Sequence, residues 1–170
     1  MTKDSIRLDI GALEASPAEA IANEVNEDLI FSEDAYSSMG RKVPEDAILE
    51  CLKIGQIKIG SAAITSAGRL KAKCIVHLAT CGFDGKSSES SIVESLRDGL
   101  NRCKEAKLSS IAIPEIGRET SDIPMKRLAE LLLSECFRHA ADRDATIQTV
   151  YFRLKDKTSL AIFSECLRHV

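Results

Sequence analysis

Residues 72–79 read AKCIVHLA, a run that stays apolar except at Lys73 and His77. A strand with one wet face alternates; a continuous run of this length belongs to a strand covered on both faces, in a sheet with helices on each side. Residues 109–113, SSIAI, form a second run of the same kind. Between the two, residues 90–106 place Ile92, Leu96, Leu100 and Cys103 at helical spacing. Further strands are expected at 5–9 (SIRLD), 19–22 (EAIA), 57–65 (IKIGSAAIT) and 146–154. Ala67-Gly68 marks a turn.

The remaining helices carry start signals. PEDAILECLK opens with Pro44 and acids in its first turn. A helix near Pro124 has Asp122 as its expected N-cap and turns Leu128, Leu131, Leu132 and Phe137 to the core. A last helix after Asp156 carries Leu160, Phe163 and Leu167. Apolar strands separated by helices imply an α/β fold, a three-layer α/β/α sandwich around a mixed, largely parallel sheet. The 170 residues suit one domain, 1–170, with a full core.

Composition narrows the function classes. Hydrophobic residues are 44% and charged residues 29%, which is ordinary for a globular chain. A net charge of -3 and 4% aromatics without Trp argue against a nucleic-acid partner. No secretory leader and no membrane-length apolar run is read, so a cytoplasmic location and no membrane partner are expected. The six cysteines are scattered without a CxxC pair, which predicts reduced core thiols, no metal site and no cofactor. His77 reads as a core histidine, and His139 and His169 as helix-end cations.

In such sheets ligands lie beyond the carboxyl ends of the strands, so the loops there are the candidates for chemistry. Asp9 and Ile10 end the first strand; the carboxylate suits an exocyclic amine of a base, or simply a turn. Asn23 and Asn26 follow the second strand; two amides there suit a ribose or a held water, or turn chemistry. Ser37, Ser38, Met39, Gly40, Arg41 and Lys42 precede a helix, which suits backbone amides meeting phosphate, or an ordinary polar loop. Pro114, Glu115, Ile116, Gly117, Arg118, Glu119, Thr120 and Ser121 form a second such loop. There Arg118 offers a phosphate fork, and Glu115 and Glu119 oppose anions.

Three segments together resemble the macro domain family. Leu8-Asp9-Ile10 with Ala20-Ile21-Ala22-Asn23-Glu24-Val25-Asn26 is similar to its "GDI … DAIVNAAN" opening. The stretch from Gly60 through Ala67-Gly68 to His77 is similar to "G.A..T.AG.L.A..VIH", the most specific match. Ser109 to Gly117 is similar to "SIAFPAIS/G". The resemblance implies a fold that binds ADP-ribose and in some members hydrolyses ADP-ribosyl esters, O-acetyl-ADP-ribose or ADP-ribose 1''-phosphate, usually without metal. It implies that Asp9 binds the adenine amine, that Ile10 lines the base pocket, and that Asn26 stands by the distal ribose and a water, with Asn23 as its catalytic companion. Ser38, Met39 and Gly40 then lie at the first phosphate loop, and Ile116, Gly117, Arg118, Glu119 and Thr120 at the second. The implied partners are an ADP-ribose-type small molecule or an ADP-ribosylated protein.

The chain departs from that pattern. Leu8 replaces a glycine, and residues 31–39 lack the glycine run that lets backbone approach a phosphate. Glu119 puts a carboxylate where a diphosphate belongs; at about 4 Å and an effective dielectric of 20 that repulsion is about 4 kcal/mol, roughly a thousandfold in affinity, offset in part if Arg118 points inward. The adenine-stacking aromatic is replaced by Leu160, with Phe152 as the candidate substitute. The alternatives to a working ADP-ribose binder or hydrolase are a macro fold acting as a binding module without ADP-ribose, and a binder of another phosphoester through Arg41, Lys42 and Arg118. Oligomeric state stays open.

Overall fold

The computed structural model describes residues 2–30 and 37–170. Its strands are β1 (Ile6–Ile10), β2 (Ala20–Asn26), β3 (Ala62–Ser66), β4 (Cys74–Cys81), β5 (Ser110–Ile113) and β6 (Thr149–Leu154). The helices are α1 (Glu45–Ile54), α2 (Glu89–Glu105), α3 (Met125–Ala140) and α4 (Lys157–His169). They build one six-stranded sheet in the order β1-β6-β5-β2-β4-β3. Every neighbouring pair is parallel except β3 with β4, which is antiparallel. The mixed, largely parallel sheet is the one expected from the apolar runs.

Strand alternation sorts the core into two layers. Ala20 and Ala22 of β2, with Cys74, Val76 and Leu78 of β4, face the layer holding α2, α3 and α4. Ile21 and Ile75 face the other way, toward Ala47 of α1, and Val25 meets Cys51 there. Two of the helices, α2 and α4, start where a side chain satisfies a first-turn amide. Ser88 accepts from Ser91 N at α2, and Asp156 accepts from Ser159 N at α4.

Several boundaries differ from the sequence expectation. The segment 57–61 is a turn rather than strand, because Gly60 takes φ 87 and Ser61 N donates to Lys58 O. Asp122 does not cap α3, whose N-cap is Pro124 without a side-chain hydrogen bond. Leu131 is half-buried while Leu133 is fully buried, so the buried stripe of α3 includes Leu133 beside Leu132. His139 is buried rather than a helix-end cation, and burial lowers its pKa. The largest difference is β2, which continues through Asn23 and Glu24 to Asn26, all buried. No helix among the described residues is long and apolar enough to cross a membrane. All six cysteines are free and buried, and burial pushes Cys51 and Cys74 up to about 11.

Candidate functional site

A cleft of about 280 Å³ opens beyond the carboxyl ends of β1, β5 and β6. Gly11, Ala12, Leu13 and Glu14 line it beside Arg153, Leu154 and Lys155, the two segments joined by Gly11 N donating to Leu154 O at 3.2 Å. Ser38, Met39 and Lys42 make a first wall; Pro114, Glu115, Arg118 and Glu119 make a second. Two adjacent residues of β2 hold these walls, and alternation sends them to opposite faces of the sheet.

Asn23 holds the first wall. Its Oδ1 accepts from Ser37 Oγ at 2.9 Å, Ser38 Oγ at 3.1 Å and Met39 N at 3.0 Å. Its Nδ2 therefore faces His77 Nδ1, 3.2 Å away. That makes Nδ1 the acceptor and leaves the ring proton on Nε2, beside Thr65 Oγ1 at 2.9 Å. Thr65 Oγ1 in turn donates to Ser66 O at 3.1 Å, so the neutral ring fits throughout. Burial lowers the pKa of His77 to about 4, against a smaller opposite pull from Glu50.

Glu24 holds the second wall. Its carboxylate accepts from Thr80 Oγ1 at 2.9 Å, Thr120 Oγ1 at 2.8 Å and Gly117 N at 3.1 and 3.2 Å. Asn26 does something more local. Its Oδ1 accepts from Asp28 N at 2.9 Å and Ile30 N at 3.4 Å, and its Nδ2 donates to Ile30 O at 3.3 Å, which pins the turn after β2.

The cations around the cleft are each matched by a carboxylate. Lys42 Nζ is 2.5 Å from Glu14, Lys155 Nζ 2.6 Å from Glu119, and Arg153 Nη1 3.4 Å from Asp9. Arg118 is the most tightly held. It pairs with Glu115, with Asp156 Oδ2 at 2.9 Å and with Ser159 Oγ at 2.9 Å, and the Glu115 and Asp156 bonds raise its pKa. Glu115 also accepts from Lys155 N at 2.8 Å. Among the described residues no group of His, Cys, Asp and Glu is placed to hold a metal.

The Macro domain family model matches residues 22–132. This chain belongs to the macro domain family. It is 27% identical over 164 residues to a macro domain-containing protein of Listeria monocytogenes, covering 92% of this chain and 93% of that one. The Trypanosoma brucei macrodomain in complex with ADP-ribose superposes with a TM-score of 0.79 at 16% identity, over 96% of this chain and 69% of that one. The Oceanobacillus iheyensis macrodomain with ADP gives 0.75 at 20% identity, over 95% and 89%. At such identities the two structures speak for the fold.

Within this macro domain the sequence-predicted residues are brought together unevenly. Ser38, Met39, Arg118 and Glu119 line the cleft. Gly40 lies in the first wall, exposed and at φ 53. Asp9 and Ile10 lie exposed at the end of β1, where Asp9 meets the cleft through Arg153. Asn23, Ile116, Gly117 and Thr120 are buried behind the walls and support them. Arg41 is exposed in the first wall. Phe152 does not substitute for a stacking aromatic. It is fully buried, with its ring 5.1 Å from that of Phe163, because β6 alternates and turns Arg153, not Phe152, to the cleft. Leu160 is half-buried against the core. The glycine-poor stretch 31–39 falls outside the described residues from 31 to 36.

Glu24 and Arg153 are the residues that sequence reading passes over. A glutamate inside a strand buried along its whole length is a usable signal, since such a charge is retained only with several partners. Arg153 is concealed by its place in an apolar strand.

Proposed function

We propose that this macro domain binds ADP-ribose, or a closely related nucleoside diphosphate, in the cleft between residues 38–42 and 114–119. The partner is the free nucleotide or an ADP-ribosylated protein. The observation that carries this reading is the pair Asn23 and Glu24, which fix the two walls of one cleft from a single point on β2. Walls held in place before a ligand arrives spare it the ordering cost of forming them. The cleft lining of Lys42, Arg118, Arg153 and Lys155 supplies donors for phosphate oxygens. The macrodomains of similar fold that hold ADP and ADP-ribose support the same choice of ligand.

Recognition is favoured over hydrolysis. Asn26 engages both ends of its amide in the turn to Ile30, and Asn23 engages both of its ends with the first wall and His77. Neither offers a water a well-placed free acceptor. Calorimetry with ADP-ribose at neutral pH tests the reading. Saturable heat is expected, and no heat at millimolar ligand leaves a macro fold that binds something else. Incubation with an ADP-ribosyl ester tests the second half: release at the uncatalysed rate is expected, and faster release returns the protein to the hydrolases.

A further inference from the structure

We propose that Glu24 is a positioning residue for diphosphate recognition, the group that sets the second wall of the cleft. This rests on the nucleotide reading above. Glu24 is fully buried and does not line the cleft, so it acts through what it holds. It stands on the face of β2 where Ala20 and Ala22 pack into the apolar cluster shared with α2 and α3. A carboxylate there is costly unless donors surround it, and an apolar side chain would serve the core as well.

What the carboxylate does and an apolar group could not is hold a backbone amide. Gly117 N donates to both oxygens, at 3.1 and 3.2 Å. Gly117 sits at φ 87, packed so closely on Ile92 and Leu128 that a Cβ would collide with both. With that amide drawn inward, the next two residues, Arg118 and Glu119, emerge on the cleft side. Thr120 then returns to the same carboxylate through its hydroxyl at 2.8 Å. The turn is thus tied at both ends to one side chain. Ser87 braces it again, donating from Oγ to Thr80 Oγ1 at 2.9 Å and from N to Thr120 O at 2.7 Å. Thr80 completes the loop by donating to Glu24 at 2.9 Å. The wall that carries Arg118 and Glu119 is therefore fixed by a carboxyl group it conceals, while the side chain that fixes the first wall is that of Asn23, with Ser38 also paired to the Glu24 backbone.

The test compares wild type, Glu24→Gln and Glu24→Ala by calorimetry with ADP-ribose and by amide hydrogen exchange at Gly117 and Met39. Glu24→Ala is expected to weaken ADP-ribose about tenfold, the loss of the carboxyl group's hydrogen bonds acting through the turn. Exchange at Gly117 should quicken by a similar factor while Met39, in the other wall, stays unchanged; Glu24→Gln should fall between. Unchanged affinity in a folded Glu24→Gln protein overturns the proposal. So does equal loosening of both walls, or a Glu24→Gln protein that does not fold, since each assigns Glu24 to general stability. Wild type that takes up no ADP-ribose overturns the nucleotide reading and this proposal together, whereas wild-type binding with indifferent variants overturns this one alone.

Discussion

The two walls of the cleft are built from opposite materials. The first is held by a neutral amide: three donors from residues 37–39 converge on Asn23 Oδ1, and a neutral histidine backs it. The second is held by a buried carboxyl group and by ion pairs nearer the surface. Glu24 anchors it from within, and Arg118 ties it outward to Glu115 and to Asp156, the N-cap of α4. A neutral anchor leaves the first wall sensitive to geometry and to protonation of His77. The ion pairs on the second wall's surface are open to salt and to competing anions. A diphosphate entering the cleft would meet a wall of paired charges on one side and a loop anchored on a neutral amide on the other.

The largest expected effect separates the walls by their glycines. A Cβ at Gly117 would lie 2.5 Å from Ile92 Cδ1 and 3.0 Å from Leu128 Cδ2, at φ 87. Gly117→Ala is expected to cost about 3–4 kcal/mol, left-handed backbone plus overpacking. Gly40 in the first wall has φ 53, and a Cβ there would meet no described atom within 4 Å. Gly40→Ala is expected to cost about 1 kcal/mol, from the backbone alone. Urea unfolding of the two variants gives both numbers, and equal losses would erase the contrast.

Acid should act on the first wall. His77 titrates near 6.5 when unfolded and near 4 in the fold, held down by burial. As pH falls the unfolded chain takes the proton first. The contribution is whole above about 6.5 and is lost progressively toward about 4, a change of about 3 kcal/mol. Other groups also titrate in that window, so the readout is the difference from His77→Asn, which keeps an acceptor for Asn23 and carries no ring to protonate. The stability advantage of wild type over the variant should shrink by that amount between pH 7.5 and pH 4. A constant difference would mean that Asn23 does not depend on the ring.

The sheet and its helices are legible in the sequence because periodicity reports burial: AKCIVHLA and SSIAI are core strands, and Ile92, Leu96 and Leu100 are a buried stripe. The end of β2 is not legible. Asn and Glu look like loop residues, and nothing in their order says that partners 54 to 96 residues away will satisfy them inside the sheet. Resemblance to a family locates Asn23, Asn26 and both walls but assigns them ligand contacts, whereas Asn26 is spent on its own turn. Phe152 misses the cleft by one residue of alternation, since the chain position that faces it is Arg153. Local pattern predicts which residues are buried; it does not predict which buried polar groups find one another.

The smallest effect concerns Glu119, the residue that most opposes an anion. Unpaired, it would repel a diphosphate by several kcal/mol. In the fold its carboxylate is hydrogen-bonded to Lys155, which holds its pKa below the ordinary value and keeps it ionised at neutral pH. Both side chains are about half exposed, at 48% and 64%, so the pair is weak and screened. Glu119→Gln removes the repulsion and releases Lys155 toward the cleft, and the two changes act in the same direction. Affinity for ADP-ribose should rise about fivefold at low salt, close to 1 kcal/mol, and the gain should fade as salt is added. The first wall offers the control: Lys42 is paired with Glu14 at 2.5 Å, and Glu14→Gln should give a gain of the same sign. If Glu14→Gln tightens binding and Glu119→Gln leaves it unchanged, the diphosphate lies against the neutral wall and the charged one serves as its backstop.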